Sequence, residues 1–326
     1  MKKIAVLTSG GDAPGMNACI RAVVRSGLYY GLEVMGIVKG FDGLIGGSIT
    51  PMNRRSVSNI IQKGGTILKS ARSEEFITKE GREKAYKQLK ENGIDGLVTI
   101  GGNGTFTGAK IFFQEYGFPV IGVPGTIDND LFGSDFTIGY DTAVNTALDA
   151  IDKIRDTADA HDRVFFIEVM GRKTGYIAVR SAISGGAEMA VLPETDTSSD
   201  EVIRKLKEGT SMSKASHIII VAEGDEPGKA MEVAKKVKSE IPQLDTKVST
   251  LGHVQRGGAP TAADRVLASR LGVGAVEGLM EGKSNVMAGV INHDLVYTPL
   301  EDAITKIKEI NPDLVRLVEI LNGRLY

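Results

Sequence analysis

Two carboxylates separated by one residue stand in a glycine-rich stretch, residues 122–141, which reads GVPGTIDNDLFGSDFTIGYD. They are Asp128 and Asp130, with Asn129 between them. A carboxylate of this kind can accept a proton or ligate a divalent cation. The apolar residues 119–123 predict a buried strand, so both carboxylates would follow the carboxyl end of a strand, where open α/β sheets bind ligands. A plain turn would have a similar composition, because Asx, glycine and proline favour turns.

Two other glycine-rich segments follow predicted strands and open predicted helices. Residues 8–17 (TSGGDAPGMN) come after a strand over 3–7, and residues 101–108 (GGNGTFTG) come after a strand over 96–100. A loop that opens a helix presents unpaired backbone N–H groups and suits a phosphate. The first loop has neither the G-x-G-x-x-G nor the G-x-x-x-x-G-K-[ST] pattern, and a tight βα turn would look alike.

The elements that position these loops alternate between strand and helix along the whole chain, which predicts parallel sheets covered by helices. In the second half, the apolar runs 163–169, 217–222 and 247–251 predict strands. Residues 40–47 (GFDGLIGG) predict a turn-rich loop. Glu223 is a further carboxylate at the end of a predicted strand. His253 and Arg256 follow the predicted strand over 247–251, although a lone histidine is more often structural than catalytic.

Composition excludes several classes of protein. The 326 residues carry 39 basic and 41 acidic side chains, which gives a net charge of −2. This balanced charge does not indicate nucleic acid or an anionic membrane as a partner. No apolar run approaches the ~20 residues of a membrane span, and the run after the N-terminal lysines is too short for a signal peptide. The single cysteine, Cys19, cannot form an internal disulfide. We therefore expect a cytoplasmic protein of about two domains.

Phosphoryl transfer requires glycine loops and arginines that hold phosphates, together with a carboxylate that activates a hydroxyl. The chain has no G-x-S-x-G nucleophile elbow and no Cys/His spacing of a zinc site. Ten collinear motifs then carry a resemblance: LTSGGDAPGMNA, SAR, IGGNGT, PGTIDND, GYDTA, DKIRDTA, VMGR, VAEG, LGHVQRGG and DRVLASRLG. Over almost the whole chain, the sequence resembles the bacterial ATP-dependent 6-phosphofructokinases.

The resemblance implies an α/β fold of two three-layer Rossmann-like domains with mainly parallel sheets and the active site in the cleft between them. The larger, ATP-binding domain would comprise residues 1–140 with 257–305. The smaller domain, which binds fructose 6-phosphate, would comprise residues 141–256 with 306–326. The family assembles as a homotetramer, and Arg163 would reach a substrate phosphate in the neighbouring subunit.

The same resemblance implies roles for individual residues. The general base that takes the proton from the sugar 1-hydroxyl would be Asp128, and charge in the transition state would be stabilised by Thr126 and Arg172. The ATP site would contain Gly11, Arg72, Ser73, Gly102, Asn103, Gly104 and Thr105. The sugar phosphate site would contain Thr126, Ile127, Asp128, Arg163, Met170, Gly171, Arg172, Glu223, Lys247, His253, Val254, Gln255 and Arg256. The effector site would contain Arg21, Arg25, Arg54, Arg155, Gly186 and Glu188.

Glycine at positions 104 and 125 resembles the branch that uses ATP, since the branch that uses pyrophosphate carries Asp and Lys there. The family's GGDGS reads GGNGT here, so Asn103 replaces an aspartate that helps to hold Mg²⁺, and Asp130 is a possible second ligand. Asparagine keeps an oxygen ligand but removes a charge. We expect activity that survives but is reduced, or that needs more Mg²⁺.

Other departures are smaller. Lys247 replaces an arginine and loses its bidentate fork, Tyr176 replaces the aspartate of GRxxGD, and Ser73 replaces a frequent Cys or Tyr. The basic Arg-x-Lys-Lys segment of the effector site reads SKAS at residues 213–216. We therefore expect poor activation by ADP and poor inhibition by phosphoenolpyruvate, because phosphate contacts would be lost.

Three readings stay open on the sequence alone. The first is an active ATP-dependent 6-phosphofructokinase. The second is a catalytically weakened paralogue that binds nucleotide or sugar phosphate as a regulatory subunit, and the third is a kinase of a related sugar such as tagatose 6-phosphate. The intact Asp128, Arg72, Arg172 and Glu223 favour an enzyme.

Overall fold

The computed structural model describes residues 1–161, 163–195, 199–211, 217–224 and 228–322. Residues 213–216, where the sequence predicts the loss of the basic effector segment, lie outside the described residues. None of the described helices is both long and apolar enough to cross a membrane.

Strands and helices alternate along the described chain. The strands are β1 Lys3–Thr8, β2 Glu33–Ile37, β3 Ile49–Met52, β4 Gly96–Gly101, β5 Val120–Pro124, β6 Arg163–Val169, β7 Met189–Val191, β8 His217–Ala222, β9 Asp245–Thr250, β10 Val286–Ile291 and β11 Asp294–Pro299. The helices are α1 Met16–Tyr29, α2 Gly40–Ile45, α3 Lys79–Glu91, α4 Asn103–Tyr116, α5 Tyr140–Asp159, α6 Tyr176–Ser184, α7 Ser199–Ser211, α8 Lys229–Glu240, α9 Ala262–Met280, α10 Leu300–Thr305 and α11 Pro312–Asn322. Two short 3-10 turns cover Glu75–Ile77 and Gly252–Arg256.

The chain forms two compact units. The larger unit comprises Met1–Thr142 and Arg256–Lys308, and the smaller comprises Ala143–Gln255 with the described part of Glu309–Tyr326. The larger unit contains a seven-stranded sheet of order β11-β10-β5-β4-β1-β2-β3, and the smaller a four-stranded sheet of order β7-β8-β6-β9. All pairs are parallel except the two edge pairs β2–β3 and β10–β11. The predicted α/β fold with mainly parallel sheets is confirmed.

Alternate residues of β1 face opposite sides of the larger sheet, because side chains alternate along a strand. Ala5 and Leu7 belong to the core that α2, α3, α4 and α10 cover. Ile4 lies on the other side, where Gly27 of α1 approaches it and where α1 packs on α9. Both faces of β1 are therefore fully buried, and each buried Leu or Ile side chain contributes about 1.5–3 kcal/mol.

The smaller sheet has a similar arrangement. Val164 and Phe166 of β6 pack with α7 and α8 on one face. Helix α6 packs against β7 and β8, and α11 packs on α6. Tyr176, at the start of α6, is buried, and its hydroxyl donates to the carbonyl of Glu309 at 2.8 Å. The tyrosine that departs from the family pattern thus fastens the chain where it returns to the smaller unit.

The described structure differs from the sequence-based expectation at three places. Residues 40–45 of the predicted turn-rich loop form α2, after Lys39 turns the chain with a left-handed φ of 66°. Strands β3 and β11 lie antiparallel at the two edges of the larger sheet, where their prolines, Pro51 and Pro299, are tolerated. The predicted loop over 101–108 becomes helix α4 at Asn103, so residues 103–105 lie on a helix and not in a loop.

Candidate functional site

The carboxyl ends of β1, β4 and β5 meet at one edge of the larger sheet, because these neighbouring strands are parallel. Strand β1 pairs with β2 on one side and with β4 on the other, so the order of the sheet reverses between β1 and β4. Open α/β sheets bind ligands at such a reversal. The three loops predicted to do chemistry therefore leave the sheet at its expected binding edge.

The loop over residues 125–139, which carries Asp128, is held by short internal hydrogen bonds. The Asp128 N–H donates to Thr126 Oγ1 at 3.2 Å, and Thr137 Oγ1 donates to the Thr126 carbonyl at 2.6 Å. Asn129 bridges the loop, since its Oδ1 accepts from the Thr137 N–H at 2.9 Å and its Nδ2 donates to the Asp135 carbonyl at 3.3 Å. Asn129 has a left-handed φ of 54°, which asparagine tolerates well. This network fixes Asp128, whose side chain is 4% exposed.

A buried aspartate fastens the end of this loop. Both Asp264 oxygens accept hydrogen bonds, Oδ1 from the Gly139 N–H at 2.8 Å and Oδ2 from the N–H and hydroxyl of Thr142. Burial nevertheless raises the pKa of Asp264, and these hydrogen bonds only partly oppose it. The starts of α5 and α9 are joined here.

The two candidate metal ligands, Asn103 and Asp130, lie together. Asn103 is the first residue of α4, and its Nδ2 donates to Asp130 Oδ2 at 2.7 Å. The described residues contain no group of three or more His, Cys, Asp or Glu side chains with metal-binding geometry. One carboxylate and one amide oxygen nevertheless fit Mg²⁺, which keeps several waters and is commonly held by one or two carboxylates together with phosphates.

The predicted ATP residues at the start of α4 lie against the loop after β1. Thr105 Oγ1 donates to the Ser9 carbonyl at 3.0 Å, so this side chain joins the two loops. Gly102 has no side chain to cap the helix, and a Cβ on Gly104 would have no atom within 4 Å. The start of α4 therefore has no side-chain cap and leaves open space beside Gly104, as a phosphate site requires.

Arg256 is the one predicted sugar phosphate residue beyond position 128 that belongs to the larger unit. Its Nη1 donates to the Asp12 carbonyl at 3.1 Å. A Cβ on Gly11 would lie 2.7 Å from the same nitrogen, so a side chain at position 11 would push the end of Arg256 away from the loop. The structure thus brings Arg256 to the loop after β1. Of the other predicted ATP residues, Arg72 is exposed, and Ser73 Oγ donates to Asp42 Oδ1 at 3.3 Å.

In the smaller unit, the turn at residues 170–172 follows β6 and is held from two sides. The Met170 N–H donates to Gln255 Oε1 at 2.9 Å. Glu223 Oε1 accepts from the N–H groups of Gly171 at 3.3 Å and of Arg172 at 2.9 Å. Arg172 has a left-handed φ of 53°, which these hydrogen bonds hold, and its side chain is exposed. Glu223 and Gln255 therefore position Arg172.

Two predicted phosphate-binding cations, Arg163 and Lys247, share one carboxylate. Arg163 Nε and Lys247 Nζ each lie 2.8 Å from an oxygen of Asp245. The hydrogen bonds from Lys247 and Arg163 lower the pKa of Asp245. His253 and Val254 lie in the 3-10 turn after β9, and both are exposed.

Two other predicted site residues are buried. Gln255 is fully buried against the turn that it holds. Ile127 is also fully buried, which leaves its backbone for any contact with a ligand. The assignment of individual residues to ATP or sugar phosphate stays a prediction.

The predicted effector residues divide between the units. Arg21 and Arg25 lie one turn apart on α1, where burial and then the charge of Arg25 lower the pKa of Arg21. In the smaller unit, Arg155 Nη2 donates to the carbonyls of Gly185 and Gly186, and Glu188 Oε2 accepts from the Ile218 N–H at 2.5 Å. Arg54 is exposed in the turn after β3.

Two residues that hold the candidate site were not singled out from the sequence. Asn17 closes the TSGGDAPGMN motif, yet its contacts lie near residues 63–67. Asp245 pairs with two predicted ligand cations. Asp245 and Lys247 are two residues apart on β9, so both side chains lie on the same face of the strand. This spacing could have indicated their pairing from the sequence.

Comparison with known proteins agrees with the geometry. The family model described as "Phosphofructokinase" matches residues 3–279. The chain is 70% identical over 326 residues, its full length and 99% of the relative, to the "ATP-dependent 6-phosphofructokinase" of Cytophaga hutchinsonii. It is 55% identical over 322 residues, 99% of both chains, to the "ATP-dependent 6-phosphofructokinase 2" of Bacteroides thetaiotaomicron.

Among solved structures, phosphofructokinase from Saccharomyces cerevisiae superimposes with a TM-score of 0.88 and 35% identity. That match covers 99% of this chain and 47% of the yeast chain, so the present chain spans about half the length of that relative. The chain belongs to the phosphofructokinase family.

Proposed function

We propose that this protein transfers the γ-phosphoryl group of ATP to the 1-hydroxyl of fructose 6-phosphate and releases fructose 1,6-bisphosphate and ADP, a step of glycolysis. The observation that carries the proposal is the 70% identity over the full chain to an ATP-dependent 6-phosphofructokinase. The position of a buried Asp128 at the carboxyl end of β5 supports it, since this is the binding edge of the sheet.

ATP binds the larger unit in this proposal. The first N–H groups of α4 receive a phosphate, because a helix N-terminus carries unpaired donors and the positive end of the dipole. The two glycines that distinguish a nucleotide donor from pyrophosphate support ATP. Gly104 borders open space, and a Cβ on Gly125 would lie 2.9 Å from Ile100 Cγ2, so a larger residue there would displace the core beside the loop.

Asp128 acts as the general base. It accepts the proton of the sugar 1-hydroxyl while that oxygen forms its bond to the γ-phosphorus and the bond to the ADP oxygen breaks. The hydrogen bonds within residues 125–139 hold the backbone that carries Asp128, so little reorganisation of the loop is needed during the reaction. Thr126 and Arg172 stabilise the negative charge that spreads over the transferring group.

The sugar phosphate is bound by Arg256 of its own subunit and, across the subunit interface, by Arg163 and Lys247 of the neighbouring subunit. Arg163 and Lys247 are both held by Asp245, which keeps their charges at the start of β6 and β9. Glu223 accepts a sugar hydroxyl in addition to the two backbone donors that it already holds. The exposed His253 supplies a further polar contact.

Mg²⁺ belongs to the proposal as the ion that accompanies ATP. Asp130, and Asn103 through its amide oxygen, would hold it, and it would neutralise charge on the phosphates. The remaining proposals are a homotetramer in which Arg163 reaches the neighbouring subunit, and a cytoplasmic location. They are supported by the family and by the buried, unpaired Cys19, which suits a reducing compartment.

A coupled assay tests the proposal with purified protein, MgATP and fructose 6-phosphate, with tagatose 6-phosphate as the competing acceptor. We expect turnover between about 1 and 10³ s⁻¹, a preference for fructose 6-phosphate, and a loss of at least about 100-fold in Asp128→Ala. Asp294→Ala is the matched control, because Asp294 is an exposed carboxylate at the turn between β10 and β11. Background turnover in the wild type, with ligand binding retained, would establish the weakened paralogue instead.

A further inference from the structure

Residues 63–69 form a segment without helix or strand that leads directly to the predicted ATP residues Arg72 and Ser73. The segment is held to the rest of the larger unit by side chains of other segments. The main one of these side chains is that of Asn17, a residue on the first turn of α1 that is 1% exposed.

The Asn17 amide uses three of its four hydrogen-bonding positions on this segment. Its Nδ2 donates to the carbonyls of Lys63 and Gly64, both at 3.1 Å. Its Oδ1 accepts from the Ile67 N–H at 2.8 Å. Two carbonyls can only accept and one N–H can only donate, so an asparagine amide matches this set and a carboxylate does not.

Two other contacts complete the attachment. Thr8 Oγ1 donates to the Lys69 carbonyl at 2.8 Å and lies 2.9 Å from Thr66 Oγ1. The Lys39 N–H donates to the Leu68 carbonyl at 2.7 Å. The far end of the segment is therefore tied to the carboxyl end of β1, three residues before Arg72.

The same segment meets the motif that contains Arg256. A Cβ on Gly64 would lie 2.4 Å from the Gly258 carbonyl oxygen, so the two glycine backbones touch. Asn17 therefore holds the Gly64 carbonyl, and Gly64 itself packs against the chain just after Arg256. Residues 63–67 therefore contact the chain just after Arg256 directly and lead along the chain to Arg72.

We propose that Asn17 is a positioning residue for nucleotide binding, which sets residues 63–69 so that Arg72 reaches ATP. The inference rests on the proposed function, since it takes ATP as the ligand of Arg72. It assigns to the last residue of the TSGGDAPGMN loop a task that differs from phosphate binding by the glycines of that loop. Asn17 acts through Arg72 and does not contact the reacting atoms.

The test compares steady-state kinetics of Asn17→Ala, Asn17→Ser, Arg72→Ala and the double variant Asn17→Ala/Arg72→Ala. We expect the KM for ATP to rise about tenfold in Asn17→Ala, with the KM for fructose 6-phosphate within about twofold of the wild type. Since Asn17 acts through Arg72, the double variant should have the same KM for ATP as Arg72→Ala, and the two effects should not multiply. Asn17→Ser, which can keep one hydrogen bond, serves if Asn17→Ala does not fold.

Asn92→Ala is the matched control. Asn92 donates to the Gln88 carbonyl at the end of α3 and its own carbonyl accepts from Lys3 Nζ, so it lies at the amino ends of the strands, opposite the site. Equal changes in both KM values, effects that multiply with Arg72→Ala, or the same change in Asn92→Ala would overturn the proposal. Failure of the proposed function would be distinguishable, because the wild type itself would then show no turnover.

Discussion

The loops of the larger unit and those of the smaller unit are both held by side chains, but the holding groups differ in charge. In the larger unit, neutral amides and hydroxyls hold the backbone, through Asn17, Asn129, Thr8 and Thr105. In the smaller unit, carboxylates accept from backbone N–H groups. Glu223 holds residues 171 and 172, Glu194 holds Gly175, and the buried Glu168 holds Gly228 and Ala230.

This difference fits the proposed ligands. A polyphosphate would be repelled by carboxylates used as structural clamps beside it, whereas amides and hydroxyls hold the same backbone without charge. A sugar presents hydroxyl donors, which carboxylates accept well. Glu223 can therefore hold Arg172 and accept from the sugar with the same group.

The division has exceptions in both units. In the larger unit, Asp264 accepts from Gly139 and Thr142, and Asp135 Oδ2 accepts from the Asn292 N–H at 2.8 Å. In the smaller unit, the neutral amide of Gln255 accepts from the Met170 N–H.

The largest effect is expected when a charge is added to the larger unit, where mostly neutral groups hold the loops. In Asn103→Asp, two carboxylates would replace the hydrogen bond of 2.7 Å between Asn103 Nδ2 and Asp130 Oδ2. Without Mg²⁺ we expect unfolding at lower temperature, with a loss of about 1–2 kcal/mol, because like charges about 4 Å apart repel by at most ~4 kcal/mol at an effective dielectric of ~20. With Mg²⁺ we expect stability to recover, and we expect the Mg²⁺ concentration that gives half-maximal activity to fall about tenfold.

Differential scanning calorimetry and activity across a Mg²⁺ titration measure both results. Asn103→Ala is the control, because it removes the same hydrogen bond without adding a charge and should not gain Mg²⁺ affinity. Turnover and Mg²⁺ dependence unchanged in Asn103→Asp would show that position 103 does not tune the cation.

The parallel strands and the helices between them could be predicted from the sequence because their pattern is local. The predicted strands over 163–169 and 217–222 have the bounds of β6 and β8. By contrast, α2 begins after a left-handed Lys39, and its glycines favour turns, so local composition pointed to a loop. The edge strands β3 and β11 contain prolines, which lower strand propensity in any local reading.

The candidate site was predictable in its residue types but not in its hydrogen bonds. Asp128 and Glu223 were identified as strand-end carboxylates, and their neighbouring glycines made a ligand edge plausible. The bond from Gln255 to Met170 joins residues 85 positions apart, and that from Asn17 to Gly64 joins residues 47 apart. Such contacts depend on how the strands are ordered in the sheet, which periodicity does not specify.

A smaller effect is expected where a charge is removed from the smaller unit. Glu223→Gln keeps one oxygen acceptor but weakens the hydrogen bonds from Gly171 and Arg172, since a carboxylate accepts about twice as strongly as an amide. We expect kcat/KM for fructose 6-phosphate to fall about threefold and the KM for ATP to stay unchanged.

Glu194→Gln is the control for Glu223→Gln. Glu194 accepts from the Gly175 N–H at 2.8 Å, three residues beyond Arg172, and it is not a predicted ligand residue. It should lower stability slightly and leave both KM values unchanged. If Glu194→Gln reduced kcat/KM for fructose 6-phosphate as much as Glu223→Gln, general loosening of the unit would explain both results.

The smallest effects are opposite slopes of stability against pH for two aspartates, one in each unit. Burial raises the pKa of Asp264, so the folded state binds its proton more tightly than the unfolded state does, and its contribution is full below the ordinary value of 3.8 and is lost as pH rises. Lys247 and Arg163 lower the pKa of Asp245, so its contribution is present above 3.8 and is lost as pH falls.

Thermal unfolding of the wild type, Asp264→Asn and Asp245→Asn between about pH 3 and 6 measures the two slopes. Relative to Asp264→Asn, the wild type should lose stability as pH rises from 3.8, because ionisation of a buried carboxyl is penalised. Relative to Asp245→Asn, it should lose stability as pH falls below 3.8, because protonation breaks the pairs with Lys247 and Arg163. Slopes of the same sign would mean that the three hydrogen bonds on Asp264 outweigh its burial, so that Asp264, like Asp245, would be stabilised in its charged form.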